Sequence, residues 1–258
     1  MTHQTIISIQ NLHKSYAKKM VLQGINLEIE RGQIIGYIGP NGAGKSTTIK
    51  ILTGLLPDFA GDIKVLGYDL RVDALEIKRR VGYVPENATL YEVLTPMEYL
   101  LFLGRLHQMP DELIERRAME LLEIFDLQHQ ADLRMNTFSK GMRQKVLLIA
   151  GLIHNPEILF LDEPLSGLDA NAVILVKEVL LKLRDAGKTI FYSSHIMDVV
   201  EKISDRIILI NQGTVIADGT FDDLKQFARN DSLESIFQDL TGNSTIQRRA
   251  DDFLNALR

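Results

Sequence analysis

The chain has 258 residues, 45% of them hydrophobic and 24% charged, with no cysteine and a formal net charge of -5. This is the composition of a globular protein with a substantial core, and it excludes disulfides, thiolate catalysis and cysteine-based metal sites. The acidic balance argues against a nucleic-acid surface, which needs a basic face. The opening segment MTHQTIISIQ lacks a basic start followed by an apolar core, so no signal peptide is expected. No apolar run approaches the roughly 20 residues of a membrane span. The longest, residues 146–153, is closed by His154-Asn155-Pro156.

Residues 6–12 and 22–29 alternate apolar and polar side chains, as half-buried strands do. The turn Glu30-Arg31-Gly32 leads into residues 33–38, an apolar run of the kind buried on both faces. That run enters a glycine-rich loop. Residues 46–56 then read as a helix stopped by Pro57. Helices are expected at 95–109 and 111–125, separated by Pro110, and again at 140–152. Apolar strands follow at 158–161 and 189–192, with an amphipathic helix over 172–184 between them. This order predicts a parallel α/β sheet whose ligands sit at the carboxyl ends of its strands. After Gly219 the chain turns polar, with helical patches at 221–228 and 233–240 and no chemistry of its own.

Gly39-Pro40-Asn41-Gly42-Ala43-Gly44-Lys45-Ser46-Thr47 matches the phosphate-loop pattern G-x-x-x-x-G-K-[ST]. Its glycines let backbone N–H groups curl inward onto phosphate oxygens, and the helix that follows adds its dipole. Lys45 is expected to reach the β- and γ-phosphates of ATP, and the Ser46 hydroxyl to ligate Mg²⁺. A plain helix-capping turn would explain the glycines but not the lysine. The strand at 158–161 ends in Asp162-Glu163. Asp162 is placed to hold Mg²⁺, and Glu163 to act as general base for the attacking water. Alone, two carboxylates at a strand end would be a polar turn; beside a phosphate loop in one sheet they read as chemistry. The expected fold class is α/β: a P-loop nucleotidase core, with a parallel sheet and an antiparallel β subdomain, plus an inserted helical lobe. The core spans 1–87 and 153–219, the lobe 88–152, and a C-terminal helical extension 220–258.

From about residue 6 to 219 the chain resembles the nucleotide-binding subunit of an ABC transporter. Phe138-Ser139-Lys140-Gly141-Met142 stands where that family has Leu-Ser-Gly-Gly-Gln, followed by Arg143-Gln144. Ser166-Gly167-Leu168-Asp169 is similar to its D-loop, His195 to its switch histidine, and Tyr83-Val84-Pro85-Glu86 to its Q-loop. Tyr16 sits where the family stacks an aromatic on adenine. The resemblance implies a head-to-tail dimer. Each ATP then lies between one phosphate loop and the partner's signature helix, touched in trans by Ser139 and Gly141, with Asp169 coupling the two sites. His195 would contact the γ-phosphate and orient water.

In isolation His195 is a strand-end histidine, Ser139 and Asp169 are helix caps, and Tyr16 is a loop aromatic. Two departures stand out: Glu86 replaces a glutamine and adds a carboxylate to the Mg²⁺ set, and Lys140 replaces a glycine. With Met142 and the segment 233–242, they resemble subunits of ABC-2-type exporters. The implied partners are an integral membrane subunit and a second nucleotide-binding subunit, homo- or heterodimeric. The implied location is cytoplasmic, peripheral on the inner face of the cell membrane. The membrane subunit's grip is expected along residues 83–91 and near Leu94, through Leu90, Tyr91 and Val93. The competing readings are a soluble ABC-type ATPase acting on DNA or ribosomes, and a non-catalytic subunit that only dimerises. The lobe is short for the first, and Glu163 with His195 argues against the second.

Overall fold

The computed structural model describes residues 4–17, 19–86, 90–228 and 232–241. The alternating N-terminal segments form β1 (Thr5–Tyr16) and β2 (Lys19–Glu30), longer than their alternation indicated because pairing continues to Tyr16 and Lys19 at the hairpin end. The apolar run becomes β3 (Ile34–Ile38), buried along its whole length. Helix α1 (Lys45–Leu52) stops well short of Pro57. The left-handed Gly54, φ 69°, ends it first.

Four elements fall where no periodicity was legible: β4 (Ala60–Val65), β5 (Tyr68–Asp69), α2 (Ala74–Arg80) and β6 (Val81–Val84). They are short, and β4 interrupts its apolar residues with Gly61 and Asp62. Next come α3 (Pro96–Leu106), α4 (Asp111–Ile124) and α5 (Lys140–Leu152), with only helices and 3-10 turns among the described residues between β6 and Ile158. Thr95 and Glu98 form a capping box at the start of α3, with Pro96 in its first turn. The chain continues through β7 (Ile158–Asp162), α6 (Ala170–Asp185), β8 (Thr189–Ser194), α7 (Met197–Ile203), β9 (Arg206–Asn211), β10 (Thr214–Gly219), α8 (Phe221–Ala228) and α9 (Leu233–Thr241). The expected segment 233–242 is thus helical to Thr241; Gly242 and the rest of 242–258 lie outside the described residues.

The strands form two sheets. An antiparallel sheet has the order β2-β1-β4-β5, and a six-stranded sheet has the order β10-β9-β3-β8-β7-β6. In the second sheet β9, β3, β8, β7 and β6 run parallel, and β10 returns antiparallel to β9. Ile38 pairs with Ser194, and Asp162 with Ser193. The three strand ends that carry polar residues therefore finish side by side. One apolar cluster, including Leu22, Tyr37, Phe160 and Phe191, fills the space between the two sheets, and a second joins the helices to the other face.

A histidine pair sits where α3 ends against the end of α5. His107 and His154 stack with ring centroids 3.7 Å apart. His154 Nε2–H donates to the Val81 carbonyl, and its Nδ1 is buried without a hydrogen-bond partner among the described residues. Burial, then the neighbouring His107, pushes the His154 pKa down to about 4, with Arg117 and Lys188 adding positive potential. The folded state therefore holds the neutral ring, while the unfolded chain binds the proton near pH 6.5. This contribution to stability is present in full above pH 6.5 and declines as pH falls toward 4. Unfolding free energies from urea titrations across that window should fall by up to about 3 kcal/mol for the wild type and stay flatter in His154→Gln. Parallel pH profiles for the two proteins would mean that His154 makes no such contribution.

Candidate nucleotide site

The loop after β3 owes its path to glycine at two positions. A Cβ on Gly39 would stand 2.2 Å from the Ile210 carbonyl oxygen, and one on Gly44 would stand 2.5 Å from Leu22. Gly44 also takes φ 113°, a conformation side chains rarely adopt. Gly42, at φ 81°, faces open space. The backbone can thus approach a ligand closely at the amino end of α1. Lys45 is buried, and its ammonium donates to the Gly39 carbonyl at 2.7 Å and to that of Pro40 at 3.3 Å. Burial lowers its pKa, opposed by the Glu163, Asp162 and Glu86 carboxylates.

Those carboxylates line the same cleft as Lys45. Asp162, 2% exposed, accepts from the Ser193 hydroxyl at 2.6 Å. Glu163 follows in a left-handed conformation, φ 51°, uncommon for a side chain that is not glycine, asparagine or aspartate. The Glu163 N–H donates to the Ser193 carbonyl, and its Oε2 lies 2.8 Å from His195 Nδ1. Ser194 Oγ stands 3.5 Å from the same oxygen. Backbone strain of this sort persists at functional sites when surrounding contacts over-determine it, and here β8 supplies those contacts. Tyr83 is close enough for Asp162 and Glu86 to reinforce the upward pKa shift that burial gives its phenol. Its hydroxyl has no hydrogen-bond partner among the described residues.

The cleft encloses about 930 Å³ and brings together Tyr16, Gly39, Asn41, Gly42, Gly44, Lys45, Ser46, Thr47, Glu86, Asp162, Glu163 and His195. Tyr16 is half exposed, with the Lys14 ammonium 5.1 Å from its ring centre. Ser139, Gly141 and Asp169 do not line this cleft. Ser139 caps α5 by accepting from the Met142 N–H, and Asp169 caps α6 by accepting from Ala172. The Ala172 N–H is also the main reason the Asp169 carboxyl lies below its ordinary pKa.

One contributor was missed in the sequence. The tail read as lacking chemistry puts Glu234, Phe237 and Gln238 of α9 on the cleft wall. Helix α9 rests on α7, with Leu233 and Ile236 buried in the core. The apolar stripe of α9 was a visible signal of packing, but the surface it packs on is set by the fold.

A phosphate loop between a buried strand and a helix, facing an Asp-Glu strand end in one parallel sheet, defines a P-loop nucleotidase. Residues 22–166 match the ABC transporter family model. The chain is 39% identical over 219 residues to the linearmycin resistance ATP-binding protein LnrL of Bacillus subtilis, covering 85% of this chain and 70% of that one. It is 36% identical to the daunorubicin resistance ATP-binding protein DrrA3 of Streptomyces coeruleorubidus, over 91% of this chain and 74% of that one. A solved ATP-binding subunit of an ABC transporter superposes with TM-score 0.86 at 34% identity, covering 92% of this chain and all of that one. A dimeric post-hydrolysis state of the ATP-binding cassette MJ0796, bound to ADP and Pi, superposes with TM-score 0.78 at 27% identity, covering 83% and 98%. This chain belongs to the ABC transporter family, as an ATP-binding subunit that hydrolyses ATP. No helix among the described residues is long and apolar enough to cross a membrane.

Proposed function

We propose that the protein is the ATP-driven motor of an exporter, working as a head-to-tail dimer on a separate integral membrane subunit. The observation that carries the catalytic part is the cluster Lys45, Asp162, Glu163 and His195 around one cleft. Glu163 takes the proton of a water attacking the γ-phosphate, and its bond to His195 holds the carboxylate in position. Lys45 and the loop N–H groups bind the β- and γ-phosphates, and Tyr16 carries the adenine end.

The donor set suits magnesium. Ser46, Asp162 and Glu86 all line the cleft and offer it oxygen atoms. A cation there would be held by one or two of these carboxylates, the Ser46 hydroxyl and the substrate phosphates. When bound, Mg²⁺ neutralises developing charge on the phosphate oxygens.

The dimer reading rests on Ser139 and Gly141 lying away from their own chain's cleft and on the dimeric relative. Its test mixes two inactive variants, Ser139→Arg and Glu163→Gln. In a head-to-tail dimer each site draws Ser139 from one chain and Glu163 from the other. A mixed dimer then keeps one intact site, and part of the ATPase activity should return. Heterodimers without any recovered activity would refute the trans arrangement.

Export is favoured by the relatives, which include drug-resistance ATP-binding proteins. Attachment to the inner face of the membrane needs a grip, and residues near 91 supply one. Leu90 does not take part as expected: it is 4% exposed and packs the helices onto the sheet. Tyr91 and Val93 are the exposed pair, at 60% and 67%. Tyr91 meets Phe102 edge-on at 6.2 Å and Tyr99 at 6.5 Å, giving an aromatic patch suited to an apolar segment of the membrane subunit. Tyr91→Asp with Val93→Asp should weaken membrane association about 30-fold or more while ATP binding by the isolated subunit is unchanged. Wild-type levels of the double variant in washed membranes would place the grip elsewhere. A wild-type chain found on ribosomes or DNA, and absent from membranes, would favour the soluble alternative.

A further inference from the structure

The departure at Lys140 has a structural counterpart. Its ammonium donates to the Ser166 hydroxyl at 2.9 Å, and its side-chain methylenes lie across Gly167, whose Cβ would meet them at 2.9 Å. On the next residue of α5, a Cβ at Gly141 would stand 2.7 Å from the Gly167 carbonyl oxygen, so the helix backbone itself abuts the loop. One turn further along, the buried Gln144 amide donates to the Pro164 carbonyl at 2.9 Å. Three consecutive contacts thus fasten the first turns of α5 to residues 164–167 of the same chain.

That loop is tight. It starts at Glu163, whose carbonyl accepts from the Ser166 N–H, and ends at Asp169, which caps α6. A shift of the α5 amino end would act through this short loop on the Glu163 backbone, held at φ 51°.

We propose that Lys140 is a positioning residue: through Ser166 it ties the signature helix of a chain to the placement of that chain's own Glu163. The inference rests on the head-to-tail reading, in which Ser139 at the head of α5 serves the partner's ATP. Binding at one site would then draw on α5 and, through the clasp, set the carboxylate at the other. A glycine at position 140 has no side chain with which to make this connection. The coupling is reciprocal for binding, so it is read as cooperativity between sites and not as affinity of one.

The test uses the full-length chain. Lys140→Met keeps the stem over Gly167 and removes the amine; Ser166→Ala removes the acceptor; Lys140→Arg restores a donor. ATPase rate against ATP concentration gives the Hill coefficient, and calorimetry gives the ATP affinity. The wild type should show a Hill coefficient above 1. Lys140→Met and Ser166→Ala should each lower it toward 1 and cut the maximal rate several-fold, with ATP affinity preserved. The double variant should be no worse than either, and Lys140→Arg should recover most of the cooperativity. A wild-type Hill coefficient and rate in Lys140→Met would overturn the clasp. A wild-type dimer with independent sites would overturn it too, while leaving the dimer reading intact. A chain that turns over ATP as a monomer would overturn both readings, and sedimentation distinguishes these last two results.

Discussion

Replacing Glu163 by glutamine is expected to reduce ATP hydrolysis by about 10²–10⁴-fold while ATP remains bound. The glutamine has nearly the same shape, so the cleft keeps its volume, and Asp162 and Glu86 still face Lys45. What disappears is the acceptor for the water's proton. Glu163 is 8% exposed and its carboxylate is met at one oxygen by His195 and Ser194, so its orientation is set before substrate arrives. Trapped ATP should also raise the dimer fraction on gel filtration. Single-turnover hydrolysis within a few-fold of wild type would remove Glu163 from the mechanism.

Lys45→Ala should have the second large effect, on binding. The ammonium sits buried among backbone carbonyls with three carboxylates close enough to influence it. A triphosphate entering this acidic cleft needs that charge, and charge-assisted bonds contribute about 1.5–3 kcal/mol each. With two phosphates contacted, the affinity should fall by about 10²-fold or more, measured by calorimetry with Mg²⁺ present. Burial already lowers the pKa of this amine, so the same loss should begin to appear in the wild type at alkaline pH, earlier than for an exposed lysine. Equal affinities for wild type and variant would mean the backbone cradle alone holds the nucleotide.

The phosphate loop was legible because its requirements are local. Gly39, Gly44, Lys45 and Ser46 lie within a few residues of one another, and their order encodes a tight turn ahead of a helix. The buried strands β3, β7 and β8 were legible for a similar reason: a short apolar run with a polar end has few other readings. The partners of Glu163 were of another kind. Ser193, Ser194 and His195 reach it only because β7 and β8 are parallel neighbours in register. The left-handed Glu163 leaves no mark in composition.

Leu90 shows the limit of reading a loop residue as exposed. It is apolar and outside any helix, yet it is enclosed by the packing of the helices on the sheet, whereas its neighbour Tyr91 is not. Helix α9 shows the same limit from the opposite side. Its apolar face announced that it must pack somewhere, but only its seat on α7 brings Glu234, Phe237 and Gln238 to the nucleotide cleft. By itself the sequence determined the phosphate loop and the acidic strand end, each written in residues adjacent along the chain, and the α/β class and the family, written in the order of such short segments. The tertiary structure decided which side chains from distant segments share the cleft, how α5 is fastened to the loop after Glu163, and which apolar residues stay exposed. Those depend on strand register and helix packing, whose contacts join residues far apart in sequence and so leave no periodic trace in it.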